Sequence, residues 1–397
     1  MSFFLDNPPD FQRHNAEVAE VWNAYKQGRP TRVPVSIYGS IRNLIQNPAI
    51  NNTGYTFEDF FSNPEAQIRC QLTYQKWFRQ NVLHDGEMGP PRDGWSLIVD
   101  FQNSYDAGWF GCPLHFDGNA VPDTIEILRE DKHKLYKMQC PDLLHGGLMG
   151  RAVEFFDYMK SRCRNLEFDG LSVNPPRTIP SETTDGPLDV AYKLRGAGEV
   201  CMDMIADPDY YHDLMDFITD CLIRRMKAVR EWRWQHTPDS PDKSQYRRPS
   251  FFFADDAIVL LSLQQYEEFV YPYHKRIVDA FSDGSPTRVH LCGDASRFFL
   301  FLRDHLSVRQ FDTGFPVDLG ALRRQLGPDV EIYGGPTIML LKGGPVSAIR
   351  DHVRDICRSG VTDGGKFVMI AANNLAPCTP VEHLAAMYDA VKQFGRM

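Results

Sequence analysis

From residue 166 onward the apolar positions follow a repeating beat. Short runs of mostly apolar residues alternate with stretches in which apolar residues recur every three or four places, strand and then helix. LEFDGLSVNPP precedes GPLDVAYKLRG, PSFFFADD precedes SLQQYEEFVYPYHKRIVDAF, and TRVHLCG precedes ASRFFLFLRDHL. VRQFDTG with LGALRRQLG, VEIYGG with VSAIRDHVRDIC, and KFVMIAAN with VEHLAAMYDAVKQF bring the count to six such units. Strands that alternate with helices through short connections imply right-handed crossovers and a parallel sheet. Upstream, RVPVSIY (32–38) and WSLIVDF (95–101) read as two further strands, with Pro34 tolerable only near a strand start or at an edge. Eight strands predict an α/β fold, a single (β/α)8 TIM barrel over residues 31–397. Residues 1–30 read as a polar helical extension that stops at Gly28-Arg29-Pro30. An open doubly wound sheet is the alternative, but no GxGxxG follows any of these strands, so its nucleotide-binding form has no support.

Two segments qualify this picture. Between about 210 and 234, Leu214, Phe217, Ile218, Cys221, Leu222, Met226, Val229 and Trp232 form one apolar helical stripe, which makes Cys221 core packing rather than chemistry. Residues 236–249, HTPDSPDKSQYRRP, are a polar insertion that reads as an exposed loop before it reads as a binding lid.

Charge narrows the function. The 397 residues carry a net charge of −9, the wrong sign for a duplex nucleic-acid partner. No apolar run is long enough for a membrane span, and the N-terminus lacks a basic region followed by a hydrophobic one. Nine scattered cysteines then read as reduced thiols, and the expected location is the cytoplasm.

In a barrel, function gathers where the strands end. TRVHLCG ends with His290 and Cys292, which share one face of a strand and could grip one ion. Cys378, after KFVMIAAN, would supply a third ligand, and Asp312 or Asp256 an exchangeable fourth. Two thiolates and an imidazole favour zinc over magnesium or calcium, and three protein ligands plus one labile position is the catalytic pattern. Thr379-Pro380-Val381-Glu382 reads as a capping box, which sets Cys378 just ahead of a helix N-terminus, and Asp294 reads as an N-cap near Cys292. Bland readings stand beside these: Cys378 as an inert thiol, and Asp255-Asp256 as a cap on the helix that follows them. Asp131-Lys132-His133 begins like a corrinoid-binding signature, but Tyr136 stands where that signature requires glycine.

These residues carry a resemblance. FFADDAIVLLSLQQYEEFVYPYHKRIVDAF, HLCG at 290–293, APCTPVEHLAAMYDAVKQFG and the stretch from Gly186 resemble the uroporphyrinogen decarboxylase superfamily of (β/α)8 barrels, and SYDAGWFGCPLHF fits more loosely. True decarboxylases carry Arg-Gln-Ala-Gly-Arg after the first strand, where this chain has Tyr38-Gly39-Ser40-Ile41-Arg42. They also carry Asn-Leu-Gly-His near the end, where it has Asn374-Leu375-Ala376-Pro377. A polycarboxylate porphyrinogen needs more cations than survive here, although Asp100 matches a decarboxylase aspartate. His290, Cys292 and Cys378 are similar to the signature of the zinc-dependent corrinoid methyltransferases, the branch that includes the methylcobalamin:coenzyme M enzymes. The resemblance implies a zinc-held thiolate nucleophile and a corrinoid (cobalamin) methyl carrier on a partner protein. It also implies a small methyl donor or thiol acceptor as the other substrate. Asp312 and Asp256 are expected to act at the metal, and Tyr38, Arg42 and Asp100 to line the pocket. The alternatives are a metal-free decarboxylase and a silent tetrapyrrole-binding barrel. Analogy with the decarboxylases suggests a homodimer.

Overall fold

The computed structural model describes residues 2–180, 183–236, 251–282 and 285–397. Beyond His236, the insertion expected at 236–249 lies outside the described residues. The fold is mixed α/β. Its helices include α1 (Phe11–Lys26), α2 (Gly147–Arg162), α3 (Pro187–Arg195), α4 (Pro208–His236), α5 (Tyr271–Phe281), α6 (Leu319–Leu326), α7 (Val346–Arg358) and α8 (Val381–Phe394). A parallel five-stranded sheet comprises β1 (Phe252–Ala254), β2 (Thr287–Leu291), β3 (Val308–Thr313), β4 (Glu331–Gly334) and β5 (Phe367–Met369), in the order β5-β4-β3-β2-β1. Registers include Ala254 opposite His290, Asp312 opposite Tyr333 and Phe367 opposite Ile332.

Much of the sheet is packed out of solvent: Val289, Leu291, Val308, Phe311, Ile332 and Phe367 are each at most 1 % exposed. Each such side chain contributes about 1.5–3 kcal/mol of burial, which is why these short strands hold together.

Among the described residues the sheet counts five strands, with one parallel bridge beyond each edge, rather than eight full strands. At one edge Val35 bridges Met369, and Ser36 N–H and Met369 N–H complete the contact with Met369 O and Pro34 O, both at 2.8 Å. Pro34 has only its carbonyl to give, so pairing stays local. At the other edge Asp185 bridges Ala254. The segment 166–176, expected as a barrel strand, is instead an antiparallel hairpin, with Phe168 opposite Leu171. Asp169 and Gly170 take φ of 52° and 75°, as a two-residue Asp-Gly hairpin turn demands. The segment 95–101 is extended, Leu97 N–H bonding Asn174 O at 3.1 Å, and its burial alternates, with Ile98 60 % exposed.

By internal contacts the chain forms two units, one of Met1–Thr56, Arg69–Trp95 and Leu291–Met397, the other of Phe57–Ile68 and Ser96–His290. In the first, α1 starts at Asp10, whose carboxylate accepts Arg13 N–H, and buries His14, Val18 and Val21 along one stripe. The expected N-terminal extension is thus knitted into its unit: Trp22 Nε1 donates to Asp85 O at 2.6 Å and Tyr25 Oη to Glu331 Oε1 at 2.7 Å. Arg32 grips Asp85 through two 2.6 Å bonds, and the same carboxylate accepts Val35 N–H at 2.7 Å and Tyr388 O–H at 3.2 Å. In the second unit, α4 buries the predicted stripe, Cys221 included, with Phe217 only partly covered. Its fully buried Arg225 pairs with Asp106 and lies 4.7 Å over the Trp109 ring.

The buried Arg32–Asp85 pair sets the strand-like segment 33–36 against β5. Removing one partner strands a charge in the core, so Asp85→Ala should cost about 3–5 kcal/mol in urea unfolding, whereas Arg32→Met/Asp85→Leu should cost far less than the single change. Equal losses in the two would show that the pair is not the anchor.

Candidate metal centre

Strand alternation builds the site. In β1, Phe253 is buried and Ala254 half-buried; just past the strand, Asp255 is buried and Asp256, the first residue of a 3-10 turn, half-buried. In β2, Val289 and Leu291 are buried, and His290 and Cys292 are half-buried. The parallel register places Ala254 beside His290, and just past the ends of the two strands come Asp256 and Cys292. Donor atoms of Asp256, His290 and Cys292 all lie within 4.8 Å of one another. Among the described residues this is the one His/Cys/Asp/Glu group of three or more gathered so closely. An imidazole nitrogen, a thiol sulfur and a carboxylate oxygen make a donor set that suits a borderline-soft divalent ion.

Cys292 is held from two sides. Asn373 Nδ2 donates to its Sγ at 3.1 Å, a bond that favours negative charge on the sulfur. Gly314 presses on its backbone: a Cβ there would fall 2.8 Å from Cys292 Cα and 2.6 Å from Gly293 N, so only glycine fits. Asp294, expected as an N-cap, makes a local turn, accepting Ser296 N–H at 3.1 Å. The helix beyond it starts only at Phe299.

The other sequence-predicted residues take up separate positions. Cys378 is not in the 4.8 Å group; its backbone is left-handed (φ 61°) and its thiol donates to Gln46 O at 3.4 Å. The capping box expected behind it does not form. Pro380 is the N-cap of α8 with no side-chain cap, Thr379 Oγ1 donates to Ala376 O at 2.7 Å, and Glu382 accepts Ser2 N–H at 3.4 Å. Asp312 lies on the more open face of β3, outside the group. Tyr38 is 45 % exposed, and Arg42 begins the short helix Arg42–Ile45. Asp100 accepts from Gln102 N–H at 2.8 Å and Gln102 Nε2 at 2.6 Å, and Gln67 clamps its main chain.

Nor does Asp255 cap the turn that follows it, the bland expectation. Its carboxylate reaches back to α3, accepting Leu188 N–H at 3.2 Å and Asp189 N–H at 3.0 Å. It also meets His274 Nε2 at 2.8 Å, and His274 Nδ1 in turn meets Tyr266 Oη at 3.0 Å. Burial pushes the Asp255 carboxyl up to about 8 and the His274 imidazole down to about 3.

Two residues of this neighbourhood escaped the sequence reading. Asn373 stands at a strand end, where the rule applied to His290 and Cys292 could have found it. Asp189 had no local signal beyond being an acid in the first turn of a helix.

Comparison with known proteins follows the same lines. Residues 251–394 match the uroporphyrinogen decarboxylase (URO-D) family. The methylated-thiol–coenzyme M methyltransferase of Methanosarcina mazei is 26 % identical over 298 residues, covering 74 % of this chain and 71 % of that protein. The uroporphyrinogen decarboxylase of Thermosynechococcus vestitus is 26 % identical over 140 residues, 34 % of this chain and 39 % of that one. A solved methyltransferase from Methanosarcina mazei superposes with a TM-score of 0.63 at 16 % identity, covering 95 % of this chain and 98 % of its own, and so shares the fold. The chain is therefore a homologue of the URO-D-fold proteins. Of the two relatives, the thiol methyltransferase matches over the longer stretch. No helix among the described residues is long and apolar enough to cross a membrane.

The buried Asp255–His274 pair gives a pH signature. Folded, it carries one proton between about pH 3 and about 8. Unfolded, with ordinary values of 3.8 and 6.5, it carries two protons below the first, one between them and none above the second. The pair's contribution should then be flat from pH 3.8 to 6.5 and fall on either side, as pH rises from 6.5 toward 8 and as it drops below 3.8. The slope is at most about 1.4 kcal/mol per pH unit, the value for one proton. Urea unfolding of wild type and of Asp255→Asn/His274→Gln across this range measures it; a difference that does not fall above pH 6.5 contradicts the assignment.

Proposed function

We propose that this protein transfers a methyl group between a small methylated substrate or thiol and a corrinoid carried by a partner protein. In this reading His290, Cys292 and Cys378 hold a zinc ion, and Asp256 or Asp312 supplies an exchangeable fourth ligand. The observation that carries the reading is the Asp256–His290–Cys292 group at the ends of two adjacent parallel strands. The thiol methyltransferase relative supports it, matching about three-quarters of the chain (74 %). Zinc bound there would act as a Lewis acid, lowering the pKa of a thiol and keeping it as the thiolate that methyl transfer requires.

The chain's own residues prepare for this. Asn373 stabilises charge on the Cys292 sulfur. The carboxylate of Asp256 is a harder donor than either thiolate, which makes it the ligand an incoming thiol displaces most readily. Cys378 bears a left-handed backbone that costs a non-glycine residue about 1 kcal/mol, a strain typical of functional positions. Its thiol proton, donated to Gln46 O, is the one that ligation would release. Tyr38, Arg42 and Asp100 are assigned to the pocket wall. The same reading takes the sheet to close as an eight-stranded barrel, with 32–38 and 95–101 as its first two strands and the segment at Asp185, which bridges Ala254, in the place expected of 166–176.

Metal content of protein purified without chelator tests this. About one zinc per chain is expected, lost in Cys292→Ser and Cys378→Ser together with methyl transfer to cob(I)alamin or from methylcobalamin. Folded protein that carries no zinc and decarboxylates a porphyrinogen would replace this reading with the decarboxylase one.

A further inference from the structure

Asp256 is held in place by a second carboxylate. Asp189, in the first turn of α3, accepts Asp256 N–H at 2.8 Å through Oδ2 and Ala257 N–H at 2.9 Å through Oδ1. Asp255 returns the contact, accepting the N–H groups of Leu188 and Asp189 itself. Two chain segments far apart in sequence thus exchange carboxylates, each filling the orphan donors at the start of the other's helix. The exchange is tightly seated. Asp255 is fully buried, and its carboxylate occupies a slot that exists because residue 186 is glycine, where a Cβ would come within 2.1 Å of Oδ2. His274 and Tyr266 close its far side.

We propose that Asp189 is a positioning residue for Asp256, fixing the backbone from which that carboxylate reaches the ion; this rests on reading Asp256, His290 and Cys292 as a metal centre. An aspartate side chain has only two rotatable bonds, so its backbone largely decides where its oxygens lie. Asp256 opens the short 3-10 turn Asp256–Leu260, whose N-cap, Asp255, gives it no side-chain bond. Asp189 is what satisfies that turn's first two N–H groups. It holds the start of the turn to α3 together with the bonds that Asp255 makes to Leu188 and Asp189.

The test is zinc affinity, measured by competition with a chromophoric chelator, together with the visible absorption of the cobalt(II)-substituted protein. Asp189→Ala should weaken zinc about tenfold or more, the usual loss when a ligand's supporting residue is removed, and should shift the cobalt bands as Asp256→Ala does. Asp189→Asn keeps one carbonyl acceptor and should fall between Asp189→Ala and wild type; it carries the test alone if the alanine variant does not fold. Asp318→Ala is the control for stability alone, since Asp318 caps α6 through Ala321 N–H at 2.8 Å and its loss should leave zinc affinity unchanged. Wild-type affinity and spectrum in the Asp189 variants, with Asp256→Ala weakened, would overturn the positioning role and leave the metal centre standing. Wild-type protein that binds no zinc would overturn the metal centre itself.

Discussion

The site depends on one register. Because Ala254 lies opposite His290 in a parallel pair, the chain leaves the two strands side by side, with Asp256 and Cys292 just past their ends. A slip of one residue would turn either strand's polar residues into the packed layer and its apolar ones toward the site. The burial of Phe253, Val289 and Leu291 therefore does two things at once: it stabilises the sheet and chooses which atoms meet. Gly314 and Gly186 add the same kind of constraint at closer range, each leaving room where a methyl group would push a donor or its support aside.

How much of this could be read from sequence depended on whether the determinant was local. Alternation within TRVHLC was enough to pair His290 with Cys292, and the strand–helix beat was enough to find β1 to β5 and the helices behind them. The hairpin at 166–176 was misread because its apolar content suits a strand, while the Asp169-Gly170 turn, the stronger signal, passed unused. The capping box at 379–382 matched its pattern, yet Glu382 is taken by the main chain of Ser2, a contact with no trace in the local sequence. Asp255 and Asp189 show the limit most clearly. Each looks like an ordinary acid near a helix start, and only the folded chain reveals that each serves the other's helix.

The second unit also buries much polar chemistry outside the three-residue cluster. Arg225, Asp106, Asp255, His274 and Tyr266 are all nearly or wholly excluded from water. Such groups are costly to desolvate, and their hydrogen bonds are geometrically demanding, so they favour one arrangement over near alternatives more than they add to net stability.

The order of the strands along the chain has a kinetic side. Asp256, His290 and Cys292 belong to one strand–helix–strand passage, so bringing them together closes a short loop. Pairing Val35 with Met369 closes nearly the whole polypeptide, and it awaits a strand that is among the last to be made. The donor group is thus built from contacts of low sequence separation, while the Val35–Met369 bridge carries the larger loop-closure entropy.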